Sequence, residues 1–220
     1  MTPLHKAYWG FALIGICVVA AFVSEQVTGH RLSQWLFADA VSIRRHVEPD
    51  TANTIPETVP HFVLNNLQGE RVDSTGWRGR PLILNFWASW CGPCRHEIPL
   101  LNQAAQASSL EHLQVVGVAI DFKEDVAKFL QQTPVRYPVL IGEEDGLELA
   151  HQLGIDSLAL PFTVFADSQG HVLAIRLGEL HEAQLIQVFA LMHALEAKQL
   201  PLADARAQIR AVLTQQATSG

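Results

Sequence analysis

Cys91 and Cys94, in Trp90-Cys91-Gly92-Pro93-Cys94, are the residues of this chain whose type and spacing best suit chemistry. An apolar run before them, Leu82-Ile83-Leu84-Asn85-Phe86-Trp87, reads as a buried strand, and the segment after them reads as a helix. Two thiols at a helix start can close a small disulfide, and the first, beside N–H groups without intrahelical partners, is stabilised as thiolate. Cys91 is therefore the expected nucleophile and Cys94 the resolving thiol. Attack by Cys91 on a partner disulfide gives a mixed disulfide, which Cys94 resolves by displacing the reduced partner and leaving Cys91–Cys94 oxidised.

Two plainer readings compete. Zinc needs about four ligands, yet the third cysteine, Cys17, lies in a distant apolar segment, His96 is the nearest further ligand type, and no second Cys-x-x-Cys exists. A purely structural bridge across two residues closes too small a loop to restrict the unfolded chain much. Redox use is the better reading, with no metal and no cofactor expected.

The elements that must position the dithiol read as alternating strands and helices from His61 onward. Phe62-Val63-Leu64 and Glu70-Arg71-Val72 flank a Gln68-Gly69 turn as a short hairpin. The helix after Cys91 runs toward Ala107 with a bend expected at Pro99. Val115–Ile120 reads as a second buried strand, Asp125–Gln132 as a helix, Tyr137–Ile141 as a short strand and Leu147–Leu153 as a helix closed by Gly154. Phe162–Ala166 and His171–Leu177 form a hairpin through Asp167-Ser168-Gln169-Gly170. Leu185, Val188, Phe189, Met192 and Leu195 share one face of a final helix that should cover the sheet. This order is that of an α/β sandwich, with residues 199–220 as a C-terminal helix and tail.

At 220 residues, 49% of them apolar, the chain can bury one substantial core. A formal charge of −7 leaves no basic footprint, which argues against nucleic-acid binding. Residues 1–23 contain an uncharged apolar run, Ala7–Val23, preceded by Lys6 and followed by Glu25, about the minimum length for a bilayer-spanning helix. It reads as a transmembrane anchor, in competition with a signal segment cleaved near Val19-Ala20-Ala21. Residues 24–60 read as a tether with an amphipathic helix around Leu32–Val47 and a proline-bearing spacer. Residues 61–198 are then the catalytic domain.

Asn85-Phe86-Trp87-Ala88-Ser89-Trp90-Cys91-Gly92-Pro93-Cys94, then Glu97-x-Pro99, then Leu160-Pro161-Phe162-Thr163, resembles the membrane-anchored thioredoxin-like thiol-disulfide oxidoreductases of the TlpA/ResA type. The resemblance covers roughly residues 61–198. It implies a thioredoxin-like three-layer sandwich with an N-terminal hairpin and, over about 121–153, a central strand-helix insertion. It also implies a cis bond before Pro161, with Leu160 and Phe162 beside the substrate peptide. Glu97, six residues past Cys91, is implied as a partly buried carboxylate of raised pKa that takes the proton Cys94 must lose. Asn85 stands where plain thioredoxin has a titrating aspartate, so that duty moves to Glu97 or water. Trp90 is expected to give apolar contact to a partner protein.

The expectation is an extracytoplasmic protein-disulfide reductase on the periplasmic side of a bacterial inner membrane. By resemblance, its substrates are exported proteins with disulfides, such as apocytochrome c or copper-site assembly proteins, and its electron donor is a membrane thiol carrier of the DsbD/CcdA type. Gly92-Pro93 favours reduction over oxidation. A thiol oxidase or isomerase on the same site is the nearest rival. A thiol peroxidase would need a Pro-x-x-x-Thr/Ser-x-x-Cys context that the chain lacks. A non-catalytic peptide- or metallochaperone-binding module would have no use for an intact dithiol.

Overall fold

The computed structural model describes residues 55–106, 112–157 and 159–215. The anchor or signal expected at residues 1–23, and most of the tether, lie outside the described residues, among which no helix is long and apolar enough to cross a membrane. The elements are β1 (Val63–Asn66), β2 (Arg71–Asp73), β3 (Leu82–Trp87), α1 (Gly92–Gln106), β4 (Gln114–Ala119), α2 (Lys123–Gln132), β5 (Val139–Ile141), α3 (Glu143–Gln152), β6 (Phe162–Ala166), β7 (Val172–Leu177), α4 (Glu182–Glu196) and α5 (Leu202–Thr214).

The seven strands of the described residues join one mixed sheet in the order β2-β1-β5-β4-β3-β6-β7. β3 lies between a parallel neighbour, β4, and an antiparallel one, β6. The expected hairpin forms, with Gly69 at φ 82° in its turn, a conformation that suits glycine. It reaches the rest of the sheet through antiparallel pairing of β1 with β5, which is parallel to β4.

β3 is buried along its whole length because helices cover both faces, so its sequence runs apolar without alternation. Leu82, Leu84 and Phe86 pack with Leu149 and Ala150 of α3 on one face. On the other face Ile83 packs with Leu101 of α1, Leu185 and Val188 of α4, and Ile209 of α5. Trp87 joins a third cluster with Val126 of α2 and both cysteines. The fold is thus a thioredoxin-like α/β sandwich whose central strand delivers the dithiol at its end.

Several boundaries depart from the sequence reading for local reasons. α3 begins at Glu143 rather than Leu147, because its first turn is Glu143, Glu144 and Asp145, charges that suit a helix N-terminus but carry no apolar period. α2 starts two residues early at Lys123, again with acids in its first turn. β5 starts at Val139, after Pro138, which cannot donate to a ladder. α1 continues through Pro99; with both Pro99 and Arg95 exposed, the lost donor to the Arg95 carbonyl falls on the wet side of the helix. α5 is a 13-residue helix that buries Ala205, Ile209, Val212 and Leu213.

Candidate active site

The dithiol sits where β3 ends and α1 begins. Asp121, just past β4, holds the connecting loop: its Oδ2 accepts from the Ser89 N–H at 2.9 Å and from the Ser89 hydroxyl at 2.6 Å. Cys91 and Cys94 form a closed disulfide with a Cα–Cα distance of 5.3 Å. Cys94 is fully buried and Cys91 is 5% exposed, so Cys91, the expected nucleophile, is the cysteine nearer solvent. The Cys94 N–H, a free donor of the first helical turn, points at Cys91 Sγ at 3.3 Å. That contact and the helix dipole favour a thiolate at Cys91 once the disulfide opens.

Glu97 lies one turn beyond Cys94 on the buried stripe of α1, which also carries Ile98, Leu101 and Ala104. The expectation of a partly buried carboxylate understates its position, for Glu97 is 1% exposed. Its Oε1 accepts from Asn85 Nδ2 at 2.6 Å, and Asn85 Nδ2 also donates to Thr163 Oγ1 at 3.0 Å. Its Oε2 accepts from the Leu180 N–H at 2.9 Å. Burial, the largest influence, raises the carboxyl to about 7, against the lowering effect of the Leu180 and Asn85 hydrogen bonds. A group that exchanges its proton near neutrality, one helical turn from the resolving thiol, is suited to accept that thiol's proton.

Asn85 therefore anchors Glu97 across to β6. Thr163 and Leu180, which complete this arrangement, escaped the sequence reading. The one signal for them was an asparagine inside an otherwise apolar strand, which must find buried partners.

The other named residues separate into surface and core. The Leu160–Pro161 peptide is cis, and Leu160 is half-buried against the cluster that contains both cysteines. Trp90 is 65% exposed and borders a groove of about 660 Å³ whose walls include Phe122, Leu147 and the acidic start of α3. Phe162 does not share this surface. Its ring is fully buried and stacks on Phe86 with centroids 4.1 Å apart, so the expected substrate contact is not available to its side chain. The outward-facing neighbour of Pro161 is Leu160 alone. Trp87 is core, tilted against Phe129 at 5.3 Å. Among the described residues no three His, Cys, Asp or Glu side chains are grouped to hold a metal ion.

A dithiol at a helix N-terminus, beside a cis-proline and backed by a buried carboxyl, defines a thiol-disulfide oxidoreductase of thioredoxin fold. Over residues 55–175 the chain matches the AhpC/TSA family, and it belongs to that family as an oxidoreductase of the ResA/DsbE type. It is 30% identical over 138 residues to the thiol-disulfide oxidoreductase ResA of Geobacillus thermodenitrificans, covering 62% of this chain and 77% of the relative. A solved thiol-disulfide oxidoreductase from Bacteroides fragilis superposes with a TM-score of 0.51 at 27% identity, over 61% of this chain and 98% of that one. A solved MTB DsbF, described in mixed oxidised and reduced forms, has a TM-score of 0.53 at 27% identity, over 63% and 99%.

Proposed function

We propose that this chain is an extracytoplasmic reductase of disulfides in exported proteins, held at the inner membrane by residues 1–23 with its catalytic domain on the periplasmic side. The observation that carries the mechanism is the Glu97 carboxyl, buried one turn from Cys94 and poised near neutrality; the reductive direction rests on Gly92-Pro93 between the cysteines. Cys91 thiolate attacks a substrate disulfide, forming a Cys91–substrate bond as the substrate S–S bond breaks; the released substrate thiolate takes a proton from solvent. Glu97 accepts the Cys94 proton, and Cys94 attacks Cys91 Sγ. The Cys91–Cys94 bond forms, the mixed disulfide breaks and the second substrate thiol leaves. Two electrons have passed to the substrate, so a membrane thiol donor of the DsbD/CcdA type must return two to the enzyme.

Pro161 and the Leu160 backbone present the substrate peptide to Cys91, and Trp90 with its groove supplies apolar contact. Paired cysteines of apocytochrome c, or of copper-site assembly proteins, are the substrate class proposed on the resemblance to the TlpA/ResA type. A peroxidase on this site lacks support, because Ala88 and Leu84 stand at the positions where the peroxidatic Thr/Ser and Pro would precede Cys91.

The test is the reduction potential of Cys91–Cys94, by equilibration in thiol redox buffers. A value near thioredoxin's, about −270 mV, is expected; one near DsbA's, about −120 mV, would make the protein an oxidant or isomerase. With the same protein, Cys94→Ser should accumulate a mixed disulfide through Cys91, whereas Cys91→Ser should trap nothing and lose turnover. Turnover retained in either variant would sink the mechanism.

A further inference from the structure

Glu97 takes its Oε2 hydrogen bond from a peptide group that is itself gripped from behind. The Leu180 N–H donates to Glu97, and the carbonyl at the other end of that same peptide plane, Glu179 O, accepts from Arg176 Nε and Nη2, both at 3.4 Å. The remaining nitrogen, Arg176 Nη1, donates to Leu213 O at 2.6 Å. Leu213 lies in the last turn of α5, where helix carbonyls lack intrahelical donors. Gln184 of α4 reinforces that end by donating to Gln215 O at 3.0 Å. Because a guanidinium is a rigid planar fork, a nitrogen clamped to α5 fixes the direction of the other two.

Arg176 also stands directly opposite Thr163 in the β6–β7 ladder. Opposite residues share a face of the sheet, so the guanidinium lies on the side where the Thr163 hydroxyl takes its bond from Asn85. Both supports of Glu97, Asn85–Thr163 and the Leu180 N–H, thus converge near one side chain. Hydrogen bonds donated to a peptide carbonyl polarise that peptide and strengthen its N–H as a donor. A cation close by favours the ionised carboxylate in addition.

We propose that Arg176 is a positioning residue for Glu97: anchored on the C-terminus of α5, it acts through the Glu179–Leu180 peptide plane to aim the Leu180 N–H at the carboxylate and to favour its ionised form. The inference deepens the reading of Glu97 as the acceptor of the Cys94 proton, and α5 becomes part of the redox site although it touches neither sulfur. The groups that face Glu97 are Arg176 from β7, Glu179 from the β7–α4 loop, Tyr137 from the segment before β5, and Cys94 one turn before it on α1. Arg176 and Glu179 act on it in opposite senses, Arg176 lowering its proton affinity and Glu179 raising it. His96, also on α1, lies 3.7 Å from Glu179 Oε2 and so partly offsets that carboxylate when protonated.

The test is carboxyl ¹³C and amide NMR of the oxidised full-length protein across the titration of Glu97, comparing wild type with Arg176→Met and Arg176→Lys. This readout needs no turnover, so it can fail while the reductase reading stands, and the converse. In Arg176→Met the Glu97 midpoint should rise by about 0.5–1 pH unit, and the Leu180 amide proton should move upfield as its hydrogen bond weakens. Arg176→Lys keeps the charge but not the fork, so its Leu180 amide should move too, with a smaller rise in midpoint. A folded Arg176→Met with an unchanged midpoint and an unchanged Leu180 resonance would overturn the proposal and leave Arg176 as a cap for α5. Should Arg176→Met fail to fold, an unchanged Leu180 resonance in Arg176→Lys overturns it equally.

Discussion

Replacing Glu97 by Gln tests the poise of the buried carboxyl through stability, and the structure supplies the magnitude. The carboxyl titrates near 4.5 in the unfolded chain and is raised to about 7 by burial in the fold. Below pH 4.5 it is protonated in both states and contributes nothing that varies with pH. Between the two values the folded state keeps a proton that the unfolded chain has released, so stability falls as pH rises. Above about 7 the loss is complete, and at about 1.4 kcal/mol per pH unit it amounts to about 3 kcal/mol. The glutamine variant cannot titrate and lacks this fall. Its amide also cannot accept from both Asn85 and Leu180 as the carboxylate does, but that cost is the same at every pH. Urea unfolding of both oxidised proteins from about pH 4 to pH 8 should therefore give a difference curve, wild type minus variant, that drops by about 3 kcal/mol. Every other titrating group cancels in the difference. A flat difference curve would refute the raised carboxyl, and with it Glu97 as a proton acceptor at neutral pH.

Gly117→Ala should lower stability by about 1–3 kcal/mol, because the added Cβ would stand 2.8 Å from Trp87 Nε1 and 3.1 Å from Tyr137 Cε2, two buried rings with little room to move; an unchanged melting temperature would show that they yield. Trp90→Ala should leave the melting temperature nearly unchanged while raising KM for a protein disulfide several-fold, with little effect on a small aromatic disulfide. Equal losses on both substrates would remove the partner-contact role. Asp121→Ala should speed hydrogen exchange at the Ser89 amide, whose acceptor it deletes, and unaltered exchange would show that the loop is held by other contacts.

The dithiol and the element order were legible because both are local. Cys91 to Cys94 spans one turn, and strands buried on both faces leave continuous apolar runs that a sequence displays directly. Glu97 was legible, through the family resemblance, as a partly buried carboxylate on the helix but not as a fully buried one, since the depth of burial depends on what covers it from β3, β6 and the loop after β7. The Leu180 partner is 83 residues away and contributes only a backbone N–H, which any residue but proline could supply. No side-chain pattern marks such a donor. Phe162 misled for a related reason: proximity in sequence to Pro161 says nothing about facing, and strand alternation turns its ring inward onto Phe86. The early starts of α2 and α3 were hidden because helix propensity in an acidic first turn carries no hydrophobic period.

The attachment of the N-terminal hairpin to β5 bears on the order in which the chain assembles. Among the described strands β1 and β2 are made first, yet a two-stranded hairpin is marginal on its own, and the edge it must join belongs to Val139–Ile141. β3 and β4, by contrast, are near neighbours in sequence and can pair around α1 early. The first strands synthesised therefore wait, unpaired with the body, until the inserted segment has formed β5 against β4. Closing that long loop is a slow, entropically costly step, and a chain halted before residue 139 would carry its hairpin undocked.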